Sequence, residues 1–222
     1  MRLLFDLDGT LTDSSPGIIR CLAHTLKAFG QDVPSTRRLR LCVGPPLATV
    51  FQSLLTDCSN EDIERAIAIY RERYEATGIG ESALFPGVAK ALHELHERQH
   101  RVQLVTVKPE PYARRILEQF GISALFADVF APALEDRVTT KSVLVRRALA
   151  DGAHDKGETA LIGDRAEDII AARENQIFAA AAAWGYGTSE EIAAATPDRV
   201  FSTMTDYVNW IRSAHTDKST ER

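Results

Sequence analysis

The sequence predicts an α/β fold in which a parallel sheet is covered by helices and an all-helical segment is inserted near the start of the chain. Short apolar runs alternate with longer stretches of helical periodicity, as in parallel strands joined by crossover helices. Several of these runs are apolar throughout, which is typical of strands buried on both faces. Between residues 15 and 84 the alternation stops and only helical patterns remain.

Each predicted element follows from its local pattern. The strands are expected at Leu3–Leu7, Val102–Thr106, Asp128–Phe130, Thr159–Ile162 and Ile177–Ala181. The helices that follow them are expected at Glu110–Phe120, Lys141–Ala150, Arg165–Asn175 and Thr203–Ala214. In the insert, Ile18, Leu22 and Leu26 share one helical face. The predicted division is therefore a core of residues 1–14 and 85–222 with a helical subdomain at 15–84.

Composition and charge exclude several classes of protein. The net charge of −5 argues against a broad nucleic-acid surface, which normally carries a positive excess. The cysteines are three, widely spaced and without CxxC pairs, so we expect reduced thiols rather than disulfides or a zinc site. The longest apolar run, Ile177–Trp184, is too short to cross a bilayer. We expect a cytoplasmic protein that binds neither nucleic acid nor membrane.

The most informative motif runs from Phe5 to Ser14 and places two carboxylates, Asp6 and Asp8, directly after an apolar strand. Asp6 can attack phosphorus to give an acyl phosphate, and Asp8 can protonate the leaving oxygen and later deprotonate water. Gly9 permits a tight turn, and its N–H group and that of Thr10 can face phosphate oxygens. An anionic nucleophile attacking an anionic phosphate also needs a hard cation. The alternative is that the two carboxylates form only a turn and a helix cap.

A second acidic motif follows the run Ala160–Ile162. Asp164 stands at the carboxyl end of a predicted parallel strand, where such sheets bind their ligands, and Asp168 follows one helical turn later. With Asp6 they can complete the oxygen ligands of a metal. The alternative is an N-terminal helix cap with an acidic first turn. The presence of both motifs favours the metal site.

Two further polar side chains are expected at the same edge of the sheet. Thr106 ends a predicted strand and can donate a hydrogen bond to a phosphate oxygen. Lys141 begins a predicted helix and can neutralise charge on the transferring group. Lys108 is a rival cation near this edge and ranks below Lys141.

These blocks resemble the haloacid dehalogenase-like hydrolase superfamily, in the same order along nearly the whole chain. The matching residues are Asp6-Leu7-Asp8-Gly9-Thr10, then Thr106, then Lys141, then Gly163-Asp164 with Asp168. The resemblance implies a Rossmann-like core, an inserted helical cap, Mg²⁺, Asp6 as nucleophile and Asp8 as general acid and base. It also implies metal contacts from Asp6, the Asp8 main-chain carbonyl and Asp164, with Asp168 nearby or acting through water.

Shorter strings resemble the phosphoglycolate phosphatase branch of that superfamily: Gly44-Pro45-Pro46-Leu47, Phe85-Pro86-Gly87-Val88 and Trp184-Gly185-Tyr186-Gly187. That branch usually has the segment Thr-Asn-Lys-Pro, whereas residues 106–109 of this chain read Thr-Val-Lys-Pro. Val107 thus replaces an asparagine, and its side-chain amide is missing from a segment expected to bind phosphate. Gly44 and Pro45 either contact the substrate or only begin a helix. Trp184 and Tyr186 either stack on a substrate ring or pack under the sheet edge.

The leading functional hypothesis is hydrolysis of a small phosphomonoester, with phosphoglycolate as the first substrate to try. A sugar-phosphate mutase or other phosphotransferase would use the same Asp6 and Asp8. A catalytically silent binding protein that keeps the fold is a third hypothesis. The expected partner is a small phosphorylated metabolite, and the expected state is a monomer or homodimer.

Overall fold

A computed structural model describes residues 1–136, 138–150, 152 and 156–216, and it divides the chain into two compact units. The first unit comprises Met1–Thr12 and Leu84–Arg222 and contains the main sheet; we name it the sheet unit. The second comprises Asp13–Ala83 and is named the helical unit.

The sheet unit is built on a six-stranded parallel sheet in the order β5-β4-β1-β6-β7-β8. Its strands are β1 (Arg2–Phe5), β4 (Arg101–Val105), β5 (Asp128–Phe130), β6 (Thr159–Gly163), β7 (Phe178–Ala182) and β8 (Arg199–Phe201). β1 is central, and Phe5 pairs with Leu104 of β4 and with Ile162 of β6. The predicted α/β fold class with a Rossmann-like parallel sheet is confirmed.

The expectation and the structure differ at β1, at the outer strand and at two short strands near the unit boundary. β1 ends at Phe5 rather than Leu7, because the Leu7 carbonyl accepts hydrogen bonds from the N–H groups of Thr10, Leu11 and Thr12 and the chain turns. The outer strand β8 was not predicted, since its exposed Val200 and Arg199 give no apolar run. Two short strands, Thr12–Asp13 (β2) and Ala83–Leu84 (β3), pair with each other. The expectation of only helical patterns between residues 15 and 84 was therefore wrong at β3.

Helices cover both faces of the sheet. The helices of the sheet unit are α5 (Val88–Glu97), α6 (Glu110–Gln119), α7 (Lys141–Leu149), α8 (Ala166–Glu174), α9 (Ser189–Ala195) and α10 (Met204–Thr216). On one face, apolar residues of α7, α8 and α9 pack with Leu4, Leu161 and Ala179. On the other face α5 packs on α10, and Tyr207 of α10 meets Phe5 edge to face at 5.9 Å. Alternate residues of one strand therefore serve opposite layers.

The helical unit contains α1 (Ser15–Ala28), α2 (Thr36–Arg40), α3 (Leu47–Leu54) and α4 (Asn60–Arg73), followed by a π-helical turn at Tyr74–Gly78. Ser59 and Asp62 form a reciprocal capping box at the start of α4. The unit has its own apolar centre, where Tyr70 stacks on Tyr74 and meets Phe51 edge to face. Within the described ranges, none of the helices combines the length and apolarity that a bilayer crossing needs.

Candidate active site

The carboxyl edge of the sheet brings together side chains that are far apart in sequence. Asp6 follows β1, Thr106 follows β4 and Asp164 follows β6, and these strands are neighbours with their ends in register. All three residues are buried. This edge is where open parallel sheets bind their ligands, so the sheet topology positions the candidate site.

Three buried carboxylates form one acidic cluster. Asp6, Asp164 and Asp168 each offer an oxygen, and these atoms all lie within 4.8 Å of one another. Burial raises the pKa of Asp164 to about 8, and the charges of Asp6 and Asp168 add to this. Burial also raises the pKa of Asp6 to about 6, although Lys141 opposes the shift. The cluster concentrates more negative charge than a dry site tolerates without a compensating cation.

Lys141 supplies part of that compensation. It is the first residue of α7, whose preceding residue Thr140 accepts a hydrogen bond from the Val143 N–H group. Its ammonium donates to Asp6 Oδ1 at 2.5 Å and to the Val105 carbonyl at 3.1 Å, and lies 2.7 Å from Asp168 Oδ1. Burial opposes its charge, but Asp168 and Asp6 outweigh burial and raise the pKa of Lys141 above its usual range. The lysine therefore stays charged beside the nucleophile candidate.

The Asp164 side chain is held by groups from two other loops. Thr10 Oγ1 donates to Asp164 Oδ1 at 3.1 Å, and the Tyr186 N–H group donates to Oδ2 at 2.7 Å. Gly9 and Gly185 lie so close that a Cβ on either would come within 2.2 Å of the Asp164 side chain. Gly9 also has a φ of +87°, a region that favours glycine. These contacts fix the direction in which the carboxylate points.

The turn from Trp184 to Gly187 was not assigned to the site, and the structure gives it a supporting role. Trp184 Nε1 donates to the Thr10 carbonyl at 3.0 Å, while Tyr186 donates its N–H group to Asp164. For Trp184 the indole contact favours packing against the loop over stacking on a substrate, and for the Tyr186 ring both alternatives stay predictions. The sequence shows only a glycine–aromatic–glycine motif in this turn. Its contact with Asp164 becomes evident only because β7 pairs beside β6.

The predicted phosphate-binding groups of Gly9 and Thr10 make contacts within the protein. The Gly9 N–H group donates to the Thr12 carbonyl at 2.8 Å, and that of Thr10 to the Leu7 carbonyl at 3.3 Å. The Thr10 hydroxyl is fully buried against Asp164. These residues therefore shape the loop and orient Asp164, and their part in phosphate binding stays a prediction.

Asp8 is not one of the three clustered carboxylates, and it pairs with a different lysine. Lys108 Nζ donates to Asp8 Oδ2 at 2.7 Å, and the lysine is only 8% exposed. The ranking of Lys108 below Lys141 did not anticipate this contact, because two loops separated by about a hundred residues bring the pair together. Asp8 and Asp6 are thus paired with different lysines, and Asp6 shares its lysine with Asp168.

Thr106 and Val107 follow β4. Thr106 is buried and its Oγ1 accepts a hydrogen bond from the Lys108 N–H group at 3.2 Å. Val107 is 41% exposed, so its side chain offers only an apolar surface where the amide stood in the family pattern. The contact of Thr106 or Val107 with phosphate stays a prediction.

Gly44 and Pro45 belong to the helical unit, between α2 and α3. Gly44 has a φ of +115°, a backbone conformation that other residues rarely adopt, and Pro46 stands at the N-cap position of α3. These observations support the alternative that the segment only begins a helix, and contact of Gly44 and Pro45 with the substrate stays a prediction.

The acidic cluster fits a hard divalent cation. Its donors are carboxylate oxygens, which Mg²⁺ prefers, and they are buried close together with raised pKa values at Asp164 and Asp6. A bound cation would favour the charged form of every member. Asp6, Asp164 and Asp168 are the residues whose side chains would hold it.

A family model described as haloacid dehalogenase-like hydrolase matches residues 3–182. The chain belongs to this family. A 5′-nucleotidase from Pseudomonas aeruginosa is 33% identical over 196 residues, 88% of each protein. A phosphoglycolate phosphatase from Vibrio cholerae is 32% identical over 210 residues, 89% of this chain and 91% of that protein.

Other relatives carry different names. The tyrosine-protein kinase PtkA of Mycobacterium tuberculosis is 34% identical over 190 residues, 86% of this chain and 64% of that protein. The solved structure of a haloacid dehalogenase-like family hydrolase from Streptococcus pneumoniae matches with a TM-score of 0.86 and 30% identity, covering 95% of this chain and 97% of that one. The predicted superfamily and hydrolase class are confirmed, and the phosphatase names fit a hydrolase of phosphoric monoesters.

Proposed function

We propose that the protein is a Mg²⁺-dependent phosphatase that hydrolyses a small phosphomonoester through an aspartyl phosphate on Asp6. The observation that carries the proposal is the buried Asp6 carboxylate, which contacts the Lys141 ammonium and lies within 4.8 Å of oxygens from Asp164 and Asp168. A carboxylate paired with a cation in a water-poor site is suited to attack phosphorus.

The metal would be held by Asp6, Asp164 and Asp168, with the Asp8 main-chain carbonyl as a further ligand suggested by the family resemblance. Bound there, Mg²⁺ would neutralise negative charge on the phosphoryl group and on its attacking oxygen. The hydrogen bonds from Thr10 and Tyr186 keep Asp164 oriented for this role.

In the first half-reaction an Asp6 oxygen forms a bond to phosphorus while the bond from phosphorus to the leaving oxygen breaks. Asp8 gives its proton to that oxygen, so the alcohol departs neutral. Lys141 lies 2.5 Å from Asp6 and offsets the charge that gathers on the transferring group. The product is an acyl phosphate on Asp6.

In the second half-reaction water attacks the phosphorus of the acyl phosphate. Asp8, now a carboxylate, accepts a proton from that water, and the bond between phosphorus and the Asp6 oxygen breaks. Inorganic phosphate is released, Asp6 returns to a carboxylate and Asp8 is protonated again. One pair of residues thus serves both halves of the cycle.

The substrate proposed is a small phosphorylated metabolite, and phosphoglycolate is the first to test. The similarity to a phosphoglycolate phosphatase supports this choice, while the 5′-nucleotidase relative makes nucleoside monophosphates the second class. We propose that the helical unit acts as a cap and that Gly44 and Pro45 contact the leaving group. Thr106 and the segment at Val107 are the proposed contacts of the phosphate.

The test is phosphate release from a panel of phosphomonoesters, with and without Mg²⁺, using Asp6→Asn as the blank. The proposal expects release that needs Mg²⁺ and is lost in the variant. Glu167→Gln is the matched control, because this carboxyl is exposed beside the cluster and takes no part in the mechanism. Release by Asp6→Asn at the wild-type rate would overturn the proposal.

A second candidate is phosphotransfer to a hydroxyl group in place of water, as in a mutase or kinase. The similarity to a protein named as a kinase favours keeping it, although this chain spans only 64% of that protein. Product analysis separates the two, since a transferase yields a phosphorylated acceptor and little free phosphate. Turnover that disappears in Asp6→Asn would exclude the silent binding protein.

A further inference from the structure

We propose that Lys108 is a positioning residue that orients Asp8 so that one chosen carboxyl oxygen serves the leaving group. This inference rests on the proposed function and deepens it, because it assigns a residue to the acid–base half of the chemistry. Its basis is the partly buried contact of 2.7 Å between Lys108 Nζ and Asp8 Oδ2.

The lysine is held at its main chain before its side chain reaches Asp8. Its N–H group donates to Thr106 Oγ1 at 3.2 Å, directly after β4 ends. Pro109 follows at the N-cap position of α6 with a φ of −51°, so the backbone on the other side is restricted as well. The Lys108 side chain is only 7% exposed, and a buried ammonium with a fixed origin has few alternative directions.

The contact divides the two oxygens of Asp8 between different tasks. Oδ2 accepts from Lys108, while Oδ1 is buried and makes no hydrogen bond within the described part of the chain. The contact at Oδ2 restricts rotation of the Asp8 carboxyl group. Oδ1 is then the oxygen that can carry a proton to the leaving group and later accept one from water. Without the lysine, the carboxyl could rotate and this division would be lost.

The two buried lysines of the site therefore have separate tasks. Lys141 contacts Asp6 and Asp168, on the side where the phosphoryl group is transferred, whereas Lys108 contacts the acid–base residue. A competing role for Lys108 is direct binding of a negatively charged leaving group such as glycolate. The two roles predict different dependence on the leaving group.

The test compares Lys108→Met with wild type on ethyl phosphate, 2-phosphoglycolate and 4-nitrophenyl phosphate. Alkoxide leaving groups need a proton and 4-nitrophenolate needs little help, so a misplaced Asp8 should harm only the former. We expect kcat/KM to fall on the order of 10²-fold for both alkyl phosphates, chiefly through kcat, and less than about tenfold for the aryl phosphate. Lys108→Arg, which keeps a cation, should restore part of the loss.

Lys90→Met is the matched control, because Lys90 is an exposed lysine of α5 in the same unit. A double-mutant cycle guards against a general structural effect: in an Asp8→Asn background, Lys108→Met should cost little further activity on ethyl phosphate. Circular dichroism and the midpoint of thermal unfolding show whether each variant is folded.

Equal losses on aryl and alkyl phosphates, or additive losses in the double variant, would overturn the inference. A loss confined to 2-phosphoglycolate and absent from ethyl phosphate would also overturn it, in favour of leaving-group binding by Lys108. The proposed function fails separately, if wild-type protein with Mg²⁺ is inert or if Asp6→Asn keeps its activity.

Discussion

Replacing Asp164 by asparagine should make the metal-free protein more stable. Without a cation, Asp164 is a buried carboxyl with a pKa raised to about 8 by burial and by the charges of Asp6 and Asp168, against 3.8 for the ordinary group. Asparagine is neutral and nearly isosteric. Its carbonyl can accept from the Tyr186 N–H group, and the Thr10 hydroxyl can rotate to accept from its amide.

The magnitude follows from linkage. At pH 7 the Asp164 carboxyl is ionised in the unfolded chain. In the folded chain it must either bind a proton or keep its charge in a buried environment. Each pH unit above 3.8 costs about 1.4 kcal/mol up to the folded pKa, so the cost at pH 7 is about 4 kcal/mol. Because the folded pKa is the higher one, the cost vanishes below pH 3.8 and is complete above pH 8. The asparagine variant should remove most of it.

The assay is urea unfolding in a chelator between pH 5 and pH 8, repeated with Mg²⁺. In chelator, the free energy of unfolding of Asp164→Asn should exceed that of wild type, and the difference should grow with pH. Mg²⁺ should stabilise wild type, by about 2.7 kcal/mol at a hundred times Kd, and should stabilise the variant much less. Glu167→Gln, at an exposed carboxyl of α8, should show neither effect. A variant that is less stable than wild type by the same amount at every pH would contradict this prediction.

Three further substitutions test other parts of the site. Lys141→Ala should lower kcat on the order of 10²–10³-fold, since Asp6 and Asp168 lose their shared cation; steady-state kinetics measures this, and an unchanged kcat would contradict it. Gly185→Ala should raise the Kd for Mg²⁺ at least about tenfold, because the alanine Cβ would lie 2.2 Å from the Asp164 Cβ and displace that side chain. Calorimetric titration measures the Kd, and an unaltered value would contradict the prediction. Asp8→Asn should slow alkyl phosphate turnover on the order of 10²–10⁴-fold in a phosphate-release assay, and full activity would remove Asp8 from the mechanism.

The sequence predicted the parts of the fold that obey strong local patterns. The central strands are apolar because both of their faces are buried, as at Leu4 and Leu161, and this pattern is visible without a structure. The edge strand β8 escaped prediction because Val200 is half exposed and the strand is short. Likewise β1 is shorter than its apolar run, since three N–H groups converge on the Leu7 carbonyl.

For the site, residue types and order predicted which carboxylates would meet, but not their partners. Asp6, Asp164 and Asp168 converge because neighbouring parallel strands end at one edge, which is a property of topology. The pairing of Lys108 with Asp8 depends on the conformation of the loop after β4, which hydrophobic periodicity in the sequence does not predict. Sequence patterns therefore predicted the acidic cluster but not the residues that orient the carboxylates of the site.

The central claim is an acyl phosphate on Asp6, and trapping this intermediate tests it most directly. Asp8→Asn protein with Mg²⁺ and 4-nitrophenyl phosphate should accumulate the intermediate, because the good leaving group departs without acid help and attack by water is slowed. Acid quench and borohydride reduction convert an aspartyl phosphate to homoserine, which peptide mass spectrometry locates. Homoserine is expected at position 6. Turnover with aspartate unmodified there, or with the modification at another residue, would contradict an acyl phosphate on Asp6.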